Sequence, residues 1–567
     1  MNIMKKYCIL ILFFFILATS CEKLDLDPLS EGSSESWYSD QTEIELSLND
    51  LYRTYLWDIE QNYEGERFTD NWAQRQAVKD FVAGTINSEW SFSENLWLST
   101  YKGITRANTI LNSLENAVDN VPEEILVQLQ AEARFFRAVF YGRLVFLYGD
   151  VPFYTDYLTV EESFELSRTD KEVIMEQVYS DFDFAIANLP ESYGSNELSK
   201  VTKGAALGFK ARTALRLNDF QIARDAAQEV MDMEVYSLHP EYGDYFLSKT
   251  RNSPETIFAI PRSFELGVSW SAKNFYTRTP GGSNVAQPSW DLFASYTCTD
   301  GLPIDESPLF DPRNPFENRD PRLAQTIVEF GTEHLGIIYD PNPYVTKVLN
   351  VGTGNMVNNK DARSVDTYAS YNGLALKKGV DEDWNDDNQT DFDIRIMRYA
   401  DILLMYAEAK IELGEIDQSV LDAINEVRAR AYGVDKGQVS EYPVVVETGQ
   451  ENLRIILRNE RRVEFAWENR RFFDLMRWGL AEKALTRPIY GILDPEDLKE
   501  RVIDEDLWFW SETPEIDADG LPDFSSLYQS GTIKLLVERN FNNRQYLFPI
   551  PSKEIIINDN LTQNPGY

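Results

Sequence analysis

Apolar residues recur along much of this chain at helical spacing. From Trp97 to Leu114 the apolar positions Trp97, Tyr101, Ile104, Ile110, Leu111 and Leu114 fall on one face of an amphipathic helix. Pro122 opens a second helix running to about Tyr148, where Gly149, Asp150, Val151 and Pro152 stop it, and the two are expected to pair antiparallel. A third covers about Lys171 to Leu189 and ends at Pro190. Residues 203–232 and 399–428 then repeat each other at an offset of 196, with Leu207, Ala211, Leu217 and Ala227 falling on Leu403, Ala407, Leu413 and Ala423. Each half reads as a helix-turn-helix, with turns at Asn218-Asp219 and Gly414-Glu415 and small residues that let paired helices approach closely. That is the logic of tetratricopeptide repeats, although their full Trp and Pro signature is missing.

Between about 236 and 392 the helical period disappears among Gly, Pro, Asn and Asp residues, and short β-prone runs such as Thr256 to Ile260 replace it. Many rings lie here, which favours ordered loops, because disordered segments lack them. Shorter irregular regions follow at about 435–450 and 485–545. The pattern predicts a mainly α protein: a tetratricopeptide-like helical superhelix with long irregular loop insertions and minor β.

The N-terminus is an address. Lys5 and Lys6 precede an apolar run from Tyr7 to Ala18, too short to span a bilayer, and small residues lead to Cys21. Residues 1–20 are expected to be a lipoprotein signal peptide and 21–40 a tether, with 41–567 a single domain carrying a ligand-binding insertion at about 236–392. Cys21 resembles the acylated cysteine of a bacterial lipobox, with Ala18 where Leu is usual. The resemblance implies attachment to the membrane through acyl chains such as palmitate alone.

Composition removes several functions. With 54 Lys+Arg against 93 Asp+Glu the net charge is −39, which disfavours nucleic acid as a partner. Two histidines and three cysteines leave little for zinc or disulfide chemistry, and no cofactor or metal is expected. Asp381 to Asp391 resembles a calcium loop superficially, but Asp386 stands where the turn Gly belongs and Phe392 where the bidentate Glu belongs, so it reads as a solvated acidic loop. Arg458 to Arg477 interleaves Arg with Glu and Asp and reads as an ion-paired helix, with Arg470 and Asp474 placed to pair along it.

Three sets of segments resemble one family, the SusD/RagB outer-membrane lipoproteins that capture nutrients for an uptake transporter. They are the helix Ala131 to Phe153 ending in Tyr148-Gly149-Asp150-Val151-Pro152; Arg398 to Ala409 with Asn459 to Phe465 and Arg471 to Gly479; and the tail Phe548 to Ile555 with Gln563 to Tyr567. The resemblance covers essentially the whole chain after the signal. It implies a helical-repeat scaffold, a ligand site in variable loops, no catalysis, a surface-exposed outer-membrane location, and docking on a SusC-like TonB-dependent transporter.

A sugar offers hydroxyls at its edge and C–H patches on its face, so its receptors combine flat rings with carboxylates, amides and Arg. Asp70, Asn71, Trp72 and Arg75 place such a set in a few residues, Trp90 follows, and Trp270, Tyr276 and Trp290 offer the same chemistry in the insertion. These eight are the candidate glycan-binding residues, assigned by region rather than by motif. A peptide or other nutrient receptor on the same scaffold, and a carboxylate-based glycoside hydrolase, are the alternatives.

Overall fold

The computed structural model describes residues 37–74, 80–194 and 199–567. The signal segment, Cys21, most of the tether and Arg75 lie outside the described residues.

A short helix α1 (Gln41–Asn49), capped by the Asp40 side chain on the Glu43 N–H, leads into the helical frame. Its members are α2 (Ser91–Ser113), α3 (Glu123–Tyr148), α4 (Lys171–Asn188), α5 (Lys203–Arg216), α6 (Phe220–Asp232), α7 (Tyr399–Leu413), α8 (Gln418–Ala431), α9 (Gln450–Glu464) and α10 (Arg471–Arg477). From α2 to α8 each helix packs on the next, so the expected tetratricopeptide-like stack is present, and α6 meets α7 although the insertion separates them in sequence. Small residues set the spacing. A Cβ added at Gly103 of α2 would come within 2.5 Å of the Phe140 ring on α3, so only glycine allows this crossing. Gly149, at φ 74°, closes α3 where a side chain would be strained.

Six short strands bear on the site: β1 (Trp72–Gln74), β2 (Thr256–Ile260), β3 (Trp270–Ser271), β4 (Ala286–Pro288), β5 (Gln389–Thr390) and β6 (Ile394–Arg398). β2 pairs antiparallel with β6, Ile260 opposite Ile394, and so pinches the insertion off at its base. β1 pairs with β4 and β3 with β5, tying the 60–74 segment and the acidic loop onto the insertion. Among the described residues no helix is long and apolar enough to cross a membrane.

Two apolar cores result. The larger fills the frame, with Phe135, Phe136, Phe140, Phe209 and many alanines and leucines between helices. The second lies beneath the insertion and is richer in rings, among them Trp72, Tyr276, Trp290, Trp384, Trp467 and Trp510.

Between the cores runs a buried ion network, which corrects the expectation of pairing along one helix. Arg398 donates to Glu255 and Glu464, both at 2.7 Å, and to Glu468 at 2.8 Å. Arg430 and Arg322 also reach Glu464, and Arg428 and Arg322 share Glu460. Burial alone would raise the Glu464 carboxyl, but Arg430, Arg398 and Arg322 hold it well below the usual range. Arg470 does not pair with Asp474: it approaches Asp401 at 3.7 Å, while Asp474 is held by Arg461 at 3.1 Å and Arg477 at 2.8 Å. An interior carboxylate recruits cations from several elements because a lone i,i+4 partner would leave its other lone pairs unmet.

Candidate functional site

A recess of about 650 Å³, counted out to solvent, lies where the 60–63 segment, the loop from Arg262 to Trp270, Lys378 with Trp384, the start of β6 and the turn joining α9 to α10 meet. Its wall is an arc of rings, of which Tyr63 and Trp270 are half-buried and Trp384 and Trp467 are buried. Trp467 and Tyr63 stand edge to face with centroids 5.3 Å apart, Tyr63 meets Trp270 at 5.8 Å, and Trp270 meets Trp384 at 5.8 Å.

The backbone is forced to build this arc. Asn62, Tyr63, Trp467 and Asn469 all hold positive φ, at 52°, 59°, 63° and 60°. Asn tolerates that region, but for Tyr and Trp it costs roughly 1–3 kcal/mol and persists only where surrounding contacts enforce it. Asn469 supplies part of that enforcement. Its N–H donates to Glu66 Oε1 at 3.0 Å, its Nδ2 donates to the Glu60 carbonyl at 2.8 Å, and its Oδ1 accepts from the Glu66 N–H at 3.3 Å. Lys378 adds a second tie, donating to the Ala466 carbonyl at 2.8 Å and to Glu468 at 2.6 Å. Burial brings the Lys378 ammonium down to about 8. Burial lifts Glu66 to about 7, against donors on Asn469 and Asn71 that favour its charge.

Polar groups complete the lining. Arg262 donates to Gln61 and Asn62 and is brought down to about 10 by burial. The Trp467 indole N–H is buried with no acceptor among the described residues. Glu60 is paired with Arg143 and Glu468 with Arg398 and Lys378, while Asp393, also in the lining, accepts the Arg262 backbone N–H at 3.0 Å and has its carboxyl pushed up by burial.

Only Trp270, half-buried, is both expected from sequence and placed on this arc. Trp72 lies one layer behind, stacked on Trp467 at 5.1 Å with planes 21° apart. Tyr276 backs Trp384 at 6.4 Å and donates to Asn388 at 2.8 Å. Asp70 is fully buried, takes a two-pronged bond from Arg471 at 2.8 Å and meets Arg462 at 2.9 Å. Burial would raise its carboxyl, yet the two guanidiniums hold it well below the ordinary value. Asn71 accepts from Arg462 at 3.1 Å. Asp70, Asn71 and Trp72 are thus a strut behind the arc: an acid beside an amide and a ring has the composition of a sugar clamp and equally that of a buried ion-pair anchor.

Trp290 donates to the Asn372 carbonyl at 2.8 Å, packs among Phe509, Trp510 and Phe524, and lines no part of the recess. Trp90 lines a separate polar hollow that shares Asn62 with the recess. Three arc members, Tyr63, Trp384 and Trp467, were not expected from sequence. Trp384 stands in the acidic stretch read as solvated, and among the described residues no group of His, Cys, Asp or Glu is placed to hold a metal.

A larger groove of about 1460 Å³ lies elsewhere, walled by Leu302, Pro303, Pro443, Val446 and Ile455 and by no aromatic ring. Aliphatic walls bury area but give a sugar face no platform.

Residues 248–567 match the SusD family, and residues 31–215 match the family described as starch-binding associating with outer membrane. A SusD-like protein P25 of Formosa agariphila is 26% identical over 84% of this chain and 90% of its own length. Another from that organism, SusD-like protein P2, is 24% identical over the full length of both chains. A crystal structure of a SusD-like carbohydrate binding protein from Bacteroides fragilis superposes with a TM-score of 0.75 at 28% identity, covering 93% of this chain and 99% of that one. The chain whose stacked helical hairpins carry this ring-lined recess belongs to the SusD family.

Proposed function

We propose that this protein captures oligosaccharide or polysaccharide fragments in the aromatic recess and releases them chemically unchanged. The observation that carries the reading is the arc of Tyr63, Trp270, Trp384 and Trp467, held on a backbone that two of the rings occupy at a conformational cost. Rings fixed in advance lose little freedom when a sugar stacks on them, and each adds roughly 0.5–1.5 kcal/mol beyond the area it buries. The outer-membrane starch-binding description of the N-terminal match and the carbohydrate-binding title of the Bacteroides fragilis relative support the same reading. In the cell the chain is a lipoprotein acylated at Cys21, exposed on the outer membrane, that hands its cargo to a SusC-like TonB-dependent transporter.

Affinity electrophoresis through gels containing different polysaccharides tests the site. Wild type is retarded by at least one glycan, and Trp270→Ala together with Tyr63→Ala restores free migration while reducing sugar stays constant. Retardation unaffected by both changes removes the arc from the site, and release of reducing sugar overturns the non-catalytic reading. Co-purification of the partner barrel from membranes, lost on Cys21→Ala, tests delivery.

A further inference from the structure

In a chain of net charge −39, the aromatic recess is lined by as many cations as acids, Arg262, Lys378 and Arg395 against Glu60, Asp393 and Glu468. The acids are answered from outside the recess. Arg143 takes Glu60, Arg398 takes Glu468, and Asp393 accepts the Arg262 backbone N–H and lies 3.5 Å from Arg251. The cations are not answered in return. Lys378 shares Glu468 with Arg398, but Arg262 and Arg395 have no carboxylate oxygen within 4.0 Å among the described residues.

What holds these two guanidiniums is neutral. Arg262 donates to the Asn62 side-chain oxygen at 2.6 Å, to that of Gln61 at 3.3 Å and to the Phe392 carbonyl at 3.4 Å. Arg395 gives Nη2 to the Thr250 carbonyl at 2.6 Å, rests between the rings of Tyr245 and Phe392, and leaves Nη1 buried without a partner. A guanidinium shielded from water with only amide and carbonyl partners keeps its charge at a cost, and burial draws both below their ordinary values. An oxyanion removes that cost, since the planar fork of N–H donors matches a carboxylate or sulfate. The Arg262 guanidinium carbon also stands 5.9 Å from the centroid of the Trp270 ring, so a sugar lying on that ring brings its substituents to the charge. Resting on the reading of this recess as a glycan site, we infer that the glycan is acidic, carrying a carboxylate or sulfate ester that seats against Arg262 and Arg395.

Matched ligands test this on the intact protein. Affinity electrophoresis compares a polyuronate, a sulfated galactan and neutral glucans and xylans with the carboxyl-reduced polyuronate and the desulfated galactan. A polyanionic gel repels a chain this acidic, so retardation in it reports a site and not bulk attraction. Wild type should be retarded by an acidic polymer, and neutralising that polymer should weaken retention at least tenfold; the derivative that does so tells uronate from sulfate. Arg262→Met and Arg395→Met should each weaken retention by the acidic polymer to a similar degree. Because Arg262 also props Asn62, the comparison of ligands on wild type decides the matter where a variant folds poorly. Retention by neutral glycans alone, or equal retention by an acidic polymer and its neutralised form, overturns the inference and leaves glycan capture standing. Retention by no glycan of any class overturns both. Acidic retention that survives Trp270→Ala together with Tyr63→Ala puts the anion outside the recess and overturns the inference too.

Discussion

The frame and the insertion solve burial in opposite ways. In the frame, aliphatic residues repeat at helical spacing with aromatic rings such as Phe135, Phe140 and Phe209 set among them, backbone groups satisfy one another within each helix, and close approach is arranged by residues such as Gly103. Beneath the insertion the chain has little regular structure, so large rings take up much of the space, and of the arc Tyr63 and Trp270 are half-buried while Trp384 and Trp467 are sealed in. A ring core propped against the frame can present the half-buried Tyr63 and Trp270 over the buried Trp384 and Trp467. The buried network around Arg398 and Glu464 is the joint between the two.

Breaking that joint should have the largest effect. Arg398→Met leaves Glu255, Glu464 and Glu468 short of a cation, and urea unfolding should show a loss of about 3–5 kcal/mol. A loss under about 1 kcal/mol would mean the network is not what couples frame to insertion.

Trp290→Ala should cost a similar or slightly smaller amount, about 3–4 kcal/mol, because it opens a cavity in the ring core, yet glycan retention at a temperature well below the midpoint should be unchanged. Loss of retention in a folded Trp290→Ala protein would move the site away from the recess.

Glu66 supplies a pH-dependent version of the same comparison. Its folded value, about 7, stands above the ordinary 4.5, so the folded state favours the protonated carboxyl. The stability it contributes is complete below 4.5 and is lost as pH rises through about 7. Glu66→Gln lacks this titration, so from mildly acidic to mildly alkaline pH wild type should lose on the order of 2–3 kcal/mol relative to the variant. Parallel stability profiles would contradict the burial of that carboxyl beneath the arc.

The smallest effect on folding should come from Trp270→Ala. The ring is half-buried at the recess edge, so the midpoint should move little while glycan affinity falls about tenfold, or about 1–1.5 kcal/mol. Together with Trp290→Ala this separates rings that bind from rings that hold.

The frame was legible because its signal is local. Turns at Asn218-Asp219 and Gly414-Glu415, the stop at Gly149 and the repeat of Leu207 at Leu403 each lie within one or two helical turns of what they specify, and the structure places them as expected. The recess was not, because Tyr63, Trp270, Trp384 and Trp467 come from four remote parts of the chain. Trp384 was hidden by the acids around it, and Trp467 by lying between two motifs that resemble structural helices. Asp70 and Arg471 show the converse, since nothing in the spacing of an Asp from an Arg so distant in sequence announces an ion pair. The one available signal was the interruption of helical period at Ala466 to Asn469, between two strongly charged helices, where a Trp had no helical reason to be.

A crystal structure with a bound fragment of whichever glycan retards the protein tests the central claim most directly. Sugar density in the recess against Tyr63 and Trp270, with at least one ring face in van der Waals contact with a pyranose or furanose face, is the expected result. Density confined to the aliphatic groove beside Pro443 and Ile455, with the arc unchanged and empty, would contradict it.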